Sequence, residues 1–443
     1  MQFNSIGFLF CFLPLFLAVY YLCPRSWNHP ILLAGSLVFY GFACQGSLWQ
    51  LVLLAGLTVV TYLIGRSLER PGKGWILGVY LTILLAMLAF FKLYDGGKIL
   101  PVGMSFYLFQ MAAYTIDVYR RKLLPEKNIV TFGAQTVMYP KLLSGPMMDP
   151  HELQLQAKQR KASAEHIHLG LQQLILGLGL KVLLADRLGG LWAQAGVMGY
   201  QNISTPYAWL ALIAWTMRLY FDFYGYSLMA MGLGSMLGYE LPRNFIDPYI
   251  SKTVSEFYRR WHATLGAWFK NYLYIPLGGS RKGTVRTIIN LCVVWLFTGL
   301  WHGIGGNYLL WAAFLCLLII NERLWLGKLL KKTYVTGHVY TVFVILLSWV
   351  PFAIGDWGQM IQFFGRLFGV AGQVVNALDY VVAGKDYIGY LICGVILATP
   401  LPRKLWEKIR CTFFADLLIF CLFWVVVYFI STAAQDPFLY FQY

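Results

Sequence analysis

Apolar segments long enough to enter a bilayer recur along this chain, and most of its charges fall in the gaps between them. Ile288–Trp301 contains no charged residue. The same is true, or fails by one or two residues, for Ile6–Leu22, Pro30–Ala43, Leu48–Ile64, Trp75–Tyr94, Pro101–Tyr119, Leu169–Leu184, Tyr207–Phe223, Tyr308–Ile320, Val339–Phe352, Ile388–Leu401 and Phe413–Ile430. About 20 apolar residues cross the hydrocarbon core as a helix. Lipid offers the backbone no hydrogen bonds, so a spanning apolar segment satisfies its own as a helix. The chain is therefore expected to be an all-α, polytopic integral membrane protein of about twelve transmembrane helices. Charged residues make up only 12% of it, against about 25% in soluble domains. The aromatic share is 17%. Trp and Tyr favour the membrane boundary, and a polysaccharide channel would also be aromatic; composition does not separate the two.

The net charge of +16 would suggest nucleic acid in a soluble protein. Here the basic residues cluster in short loops between spans, and topology explains them better. After the first five spans the loops alternate: Arg25 and His29, then no charge, then Arg66, Arg70 and Lys73, then a neutral turn, then Arg120, Arg121, Lys122 and Lys127. Positive loops stay in the cytoplasm, so the N-terminus is expected to face outward. The basic loops NERLWLGKLLKK and PRKLWEKIR are placed inside by the same rule. Gly355–Asp386 and the C-terminus then face outward. No nucleic-acid partner is expected. Ile6–Leu22 reads as a first span, because no basic region precedes it and no small-residue cleavage site follows it. The eight cysteines show no metal-ligand spacing, and no metal is expected.

Three segments are not simple spans. Val130–Pro146 is short and contains Pro140, Lys141, Gly145 and Pro146, which suits a re-entrant element held inside protein. Gly225–Gly238 is rich in small residues, which let membrane helices approach closely. Arg218 and Asp222 lie four apart within a span, spaced to form an ion pair on one helix face. The chain reads as a single membrane domain over 1–443: N-terminal spans in 1–128, a core in 129–335, C-terminal spans in 336–443.

The core centres on residues 243–312. Val254, Phe257, Tyr258, Trp261, Leu265, Trp268 and Tyr272 recur at helical spacing, with Glu256, Arg259, Arg260 and Lys270 on the other side. Such a helix lies in a membrane interface, and His262 falls on the border of its two faces. Trp295, Thr298 and His302 share one face of the next span. An ionisable group at the end of a span is costly in hydrocarbon and should face a polar cavity.

The sequences RRWHATLGAWFKNYLYIPLGGSRKG and GLWHG resemble the membrane-bound O-acyltransferase family. The similarity is to its bacterial polysaccharide branch, typified by the membrane subunit of alginate O-acetyltransferase. It extends through SFYLFQMAAYTIDVYRRK, MYPKLLSGPM and LYFDFYGYSLMAMGLGSMLGYELPRNFIDPYIS, to about Glu322. It implies interfacial and re-entrant helices around a central channel, and transfer of an acyl group, most simply acetyl, from cytoplasmic acetyl-CoA. The acceptor would be an exported glycan or a periplasmic acyltransferase partner; a lipid-linked acceptor stands on equal footing, and another acyl chain is an alternative. No bound cofactor is implied. The family's catalytic histidine matches His302, as a general base. A second key polar position matches His262, as a donor that polarises the thioester carbonyl. Arg259, Arg260 and Lys270 could hold phosphates of the acyl-CoA; ordinary positive-inside charge explains them equally. Asn271, Trp261, Trp295, Thr298 and Trp301 complete the candidate substrate-binding set, the tryptophans with packing as the plainer reading. The chain departs from the branch in having Tyr224 and Leu228 in a segment that usually reads Asp-Phe-Ser-Gly-Tyr-Ser-Asp, and Asn271 where Asp is common. The implied location is a bacterial inner membrane, surrounded by lipid. A reading from another class is a transporter or glycan-export channel without chemistry, since broken helices and intramembrane charges suit both.

Overall fold

The computed structural model describes residues 1–160, 163–330, 332–370, 372–432 and 438. Among them the regular structure is helical, without strands. Among the described residues eight helices are long and apolar enough to cross a membrane, fewer than the twelve apolar segments of the sequence. Phe8–Leu22 is apolar but shorter. Asn28–Ala43 and Met104–Tyr119 have 16 residues each. In Met104–Tyr119, 13 of those 16 residues are buried, so this helix is clad in protein rather than lipid. Thr205–Met236 is a single helix of 32 residues that carries Arg218 and Asp222.

The chain divides into two compact units. The first comprises Met1–Leu178, Tyr226–Arg243 and the segment that begins at Phe423. Its core is a cluster of rings: Phe3, Phe8, Phe12, Phe39 and Tyr139 meet at centroid distances of 5.1–6.4 Å. Residues 132–148 are buried without exception, although only Tyr139–Leu142 is helical between Val137 and Asp149. Irregular backbone of this kind survives where protein surrounds it, and Tyr139 N–H donates to Ser36 Oγ at 3.1 Å. The small-residue stripe has a use as well. A Cβ on Gly232 would stand 2.4 Å from Gly170 O, and one on Gly170 would stand 2.6 Å from Gly232 O. Only glycine at both positions permits this approach.

The second unit comprises Gly179–Gly225 and Asn244–Leu422. Asp222, expected to pair along its own helix, is linked to a neighbouring one. Lys181 Nζ lies 2.7 Å from Asp222 Oδ1 and 2.6 Å from Asp186 Oδ1. Lys181 sits in a π-turn, Leu180–Ala185, and such a turn re-aims side chains that a regular helix would stagger differently. Arg218 stacks over the Trp215 ring at 5.9 Å. The expected interfacial helix is also broken. Val254–Arg260 and Ala263–Phe269 are separate helices, followed by the π-turn Lys270–Tyr274.

Candidate active site

The break between those helices places His262. Its backbone is left-handed, with φ 45° and ψ 50°. That conformation is costly for a residue with a Cβ and persists only where the surroundings enforce it. They do so through Asn244. Ala263 N–H donates to Asn244 O at 2.9 Å, and Ile246 N–H donates to Arg260 O at 3.0 Å. Asn244 Oδ1 accepts from Thr264 Oγ1 at 2.6 Å and from His262 Nδ1 at 3.1 Å. The amide oxygen thus faces the imidazole, Nδ1 carries the hydrogen, and Nε2 carries the lone pair. In this tautomer Nε2 is the acceptor nitrogen of the ring. His262 is buried, and burial pulls its pKa down to about 3, so the ring is neutral at physiological pH.

His302 ends the helix Thr284–His302 and is also buried. Its ring packs edge-on against Trp311 and Phe352, each at 5.0 Å, and lies 6.5 Å from Tyr308. Asn307 Nδ2 donates to Pro351 O at 3.0 Å, which ties the start of the helix Gly306–Asn321 to the end of the helix Tyr334–Ala353, where Phe352 sits. The two histidines meet around one indole. The Trp301 ring is 4.5 Å from His302 and 6.2 Å from His262. Phe223 closes on His262 from another side at 4.7 Å.

The other candidates separate by environment. Trp261 is buried against Phe245, Phe257 and Trp349 at 5.1–5.4 Å, and Trp295 against Tyr258 and Trp311 at 4.9 and 5.8 Å. Both are core residues. Thr298 Oγ1 is bonded to its own helix at Val294 O, 2.8 Å away. Arg260 is occupied: it holds Glu256 through Nε and NH2 at 3.0 and 2.8 Å, and Ile246 O through NH1 at 3.1 Å. Arg259 and Lys270 are exposed, and Asn271 is half-buried.

Two residues escaped the sequence reading. Asn244 is one. The other is Glu322, a buried carboxylate that accepts from Val254 N–H at 2.6 Å, Ser255 N–H at 2.9 Å and Ser255 Oγ at 2.6 Å. It caps the helix leading to His262 from the end of the helix that follows His302. Its only sequence signal was an acidic residue next to a long apolar segment. Among the described residues no group of three His, Cys, Asp or Glu side chains could hold a metal.

A sequence profile described as the membrane-bound O-acyltransferase family, MBOAT, matches residues 128–345. That region contains both histidines, Asn244 and Glu322. The probable alginate O-acetylase AlgI of Pseudomonas putida is 32% identical to the chain over the full length of both. The chain belongs to the membrane-bound O-acyltransferase family. The probable alginate O-acetylase AlgI of Pseudomonas aeruginosa is 36% identical across 90% of this chain and 80% of its own. The peptidoglycan O-acetyltransferase of Helicobacter pylori is 27% identical across 84% of this chain and 80% of its own. Within the MBOAT family this chain is therefore of the alginate O-acetylase type, a multi-pass membrane protein with O-acyltransferase activity.

Proposed function

We propose that this MBOAT protein moves an acetyl group from cytoplasmic acetyl-CoA to the hydroxyl of an exported glycan, or of a periplasmic partner that relays it, across a bacterial inner membrane. The observation that carries this reading is the convergence of two buried histidines on the Trp301 ring in a chain of this family. His302 acts as the general base. It takes the acceptor hydroxyl's proton as the oxygen attacks the thioester carbonyl. The C–S bond then breaks, and the proton passes from His302 to the CoA sulfur, so the step is balanced without a cofactor. His262 Nε2 accepts a hydrogen bond that orients the acyl donor, from a donor amide or hydroxyl. Arg259, Lys270, Arg281 and Lys282 are exposed and hold CoA phosphates. Arg260 organises the helix instead. About twelve membrane-crossing segments surround a central channel, and both termini face outward. The glycans in the relatives' names support the class of acceptor.

The test uses purified protein in liposomes with acetyl-labelled acetyl-CoA, following CoA release and label transfer to glycan in cell-envelope extract. His302→Ala should lower turnover by about 10²–10⁴-fold, the range of a lost general base, at unchanged yield and unfolding temperature. Near-normal turnover in the variant would remove His302 from the chemistry.

A further inference from the structure

Lys141 lies in the first unit, is 1% exposed, and takes no part in the chemistry above. It sits in the short turn Tyr139–Leu142 within the irregular buried segment. Its Nζ donates to Gln110 Oε1 and to Thr136 O. Both acceptors are neutral. Among the described residues no carboxylate offsets the charge: burial pulls its pKa down to about 7. A buried cation without a counter-charge is expensive. An apolar side chain would fill this position at less cost if packing were its only purpose.

Beside Lys141 is a cavity of about 30 Å³. Its polar lining is Gln110, Tyr114, Gln135, Thr136, Lys141 and Gln154. Gln110 is itself 8% exposed, and its Nε2 is buried with no hydrogen-bond partner among the described residues. Tyr114 OH accepts from Glu126 N–H at 3.2 Å, which leaves the hydroxyl hydrogen to donate. The wall therefore offers an ammonium, an unused amide N–H and a hydroxyl, and no negative charge. A water needs only about 10–15 Å³ of such space.

We propose that this cavity is a binding site for one small monovalent anion, chloride or the carboxylate of a short acid, held between the Lys141 ammonium and the Gln110 amide. Below pH 7 the single positive charge of Lys141 matches one negative charge, and the volume matches an ion of that size better than a phosphate ester. The bound anion converts two costly buried donors into charge-assisted hydrogen bonds. It also ties the buried turn to the helix Met104–Tyr119, so binding stabilises the fold by mass action.

The experiment measures the unfolding temperature of the full chain in detergent at about pH 6, where Lys141 is protonated, and at fixed ionic strength. A bulky sulfonate salt is replaced stepwise by sodium chloride in one series and by sodium acetate in another. The proposal expects a saturable rise of a few degrees in at least one series, and the series with the lower half-saturating concentration identifies the source of the ligand. Gln110→Glu builds a carboxylate beside Lys141. That variant should unfold at the anion-saturated temperature without any added anion, and should not respond to either salt. Lys141→Met, where it folds, should be equally unresponsive. No saturable rise in either series would overturn the proposal. So would a rise that persists in Gln110→Glu, because it would be a general effect of salt.

Discussion

Asn244 decides which nitrogen of His262 carries the hydrogen. Its Oδ1 holds Nδ1–H at 3.1 Å, and fixing one ring nitrogen this way sets the tautomer of the other. Replacing Asn244 with Leu removes the acceptor without adding a charge. We expect kcat to fall by about tenfold or more, with KM for acetyl-CoA changing much less, and Asn244→Asp, which keeps an acceptor oxygen, to recover part of the loss. Equal kcat in wild type and Asn244→Leu would show that the tautomer does not matter. The neutral ring has a second consequence. The pKa of His262 falls from 6.5 unfolded to about 3 folded, so the unfolded state binds the proton first. The stability this residue contributes is complete above about pH 6.5 and is lost progressively as pH falls toward 3. Denaturation midpoints between pH 6.5 and 5 should drop in the wild type, and drop less in His262→Asn. Identical slopes would place the proton elsewhere. Both histidines could be read from the sequence, because an ionisable residue at the edge of an apolar segment is unusual by itself. Asn244 could not. Its partner lies 18 residues away, across a loop with no periodicity to report the contact.

The elements that carry the histidines depart from their sequence pattern at one point. The apolar spacing of three and four continues from Val254 to Tyr272 through the break, so periodicity predicts one helix where there are two. The interruption is set by tertiary hydrogen bonds from Ala263 and Ile246, which periodicity does not encode. Glu322 then fixes the first of the two helices. It satisfies two N–H groups that a helix start otherwise leaves open. Glu322→Ala should cost about 0.5–2 kcal/mol, the range for a lost cap, and Glu322→Gln less, because one amide oxygen remains. The measurement is the unfolding temperature of each variant beside its kcat. If Glu322→Ala matched the wild type in both, the cap would carry no weight. The Glu256–Arg260 pair is partly exposed, with side chains 26% and 28% accessible, and contributes well under 1 kcal/mol. Its value is to leave Arg259 as the arginine of the two that faces outward.

At the scale of the whole molecule, charge placement is what predicts how the protein lies in the bilayer. Basic loops are costly to translocate, so each loop's charge is a local statement about its side. The helices long and apolar enough to span number eight among the described residues, against twelve apolar segments, and Met104–Tyr119, with 13 of its 16 residues buried, has too few residues to be among them. Hydropathy does not distinguish lipid from a protein interior. The sidedness makes a direct prediction. Arg281 lies in a basic turn, exposed, and belongs on the cytoplasmic side. Val375 is 82% exposed in the weakly charged segment after the helix Trp357–Leu367, and belongs outside. In a background lacking the native cysteines, Val375→Cys should react with a membrane-impermeant maleimide added to spheroplasts, and Arg281→Cys only after lysis. The opposite pattern would invert the topology. It would place the Arg281–Lys282 turn on the outer side, where acetyl-CoA is absent, and that turn could no longer bind the acyl donor.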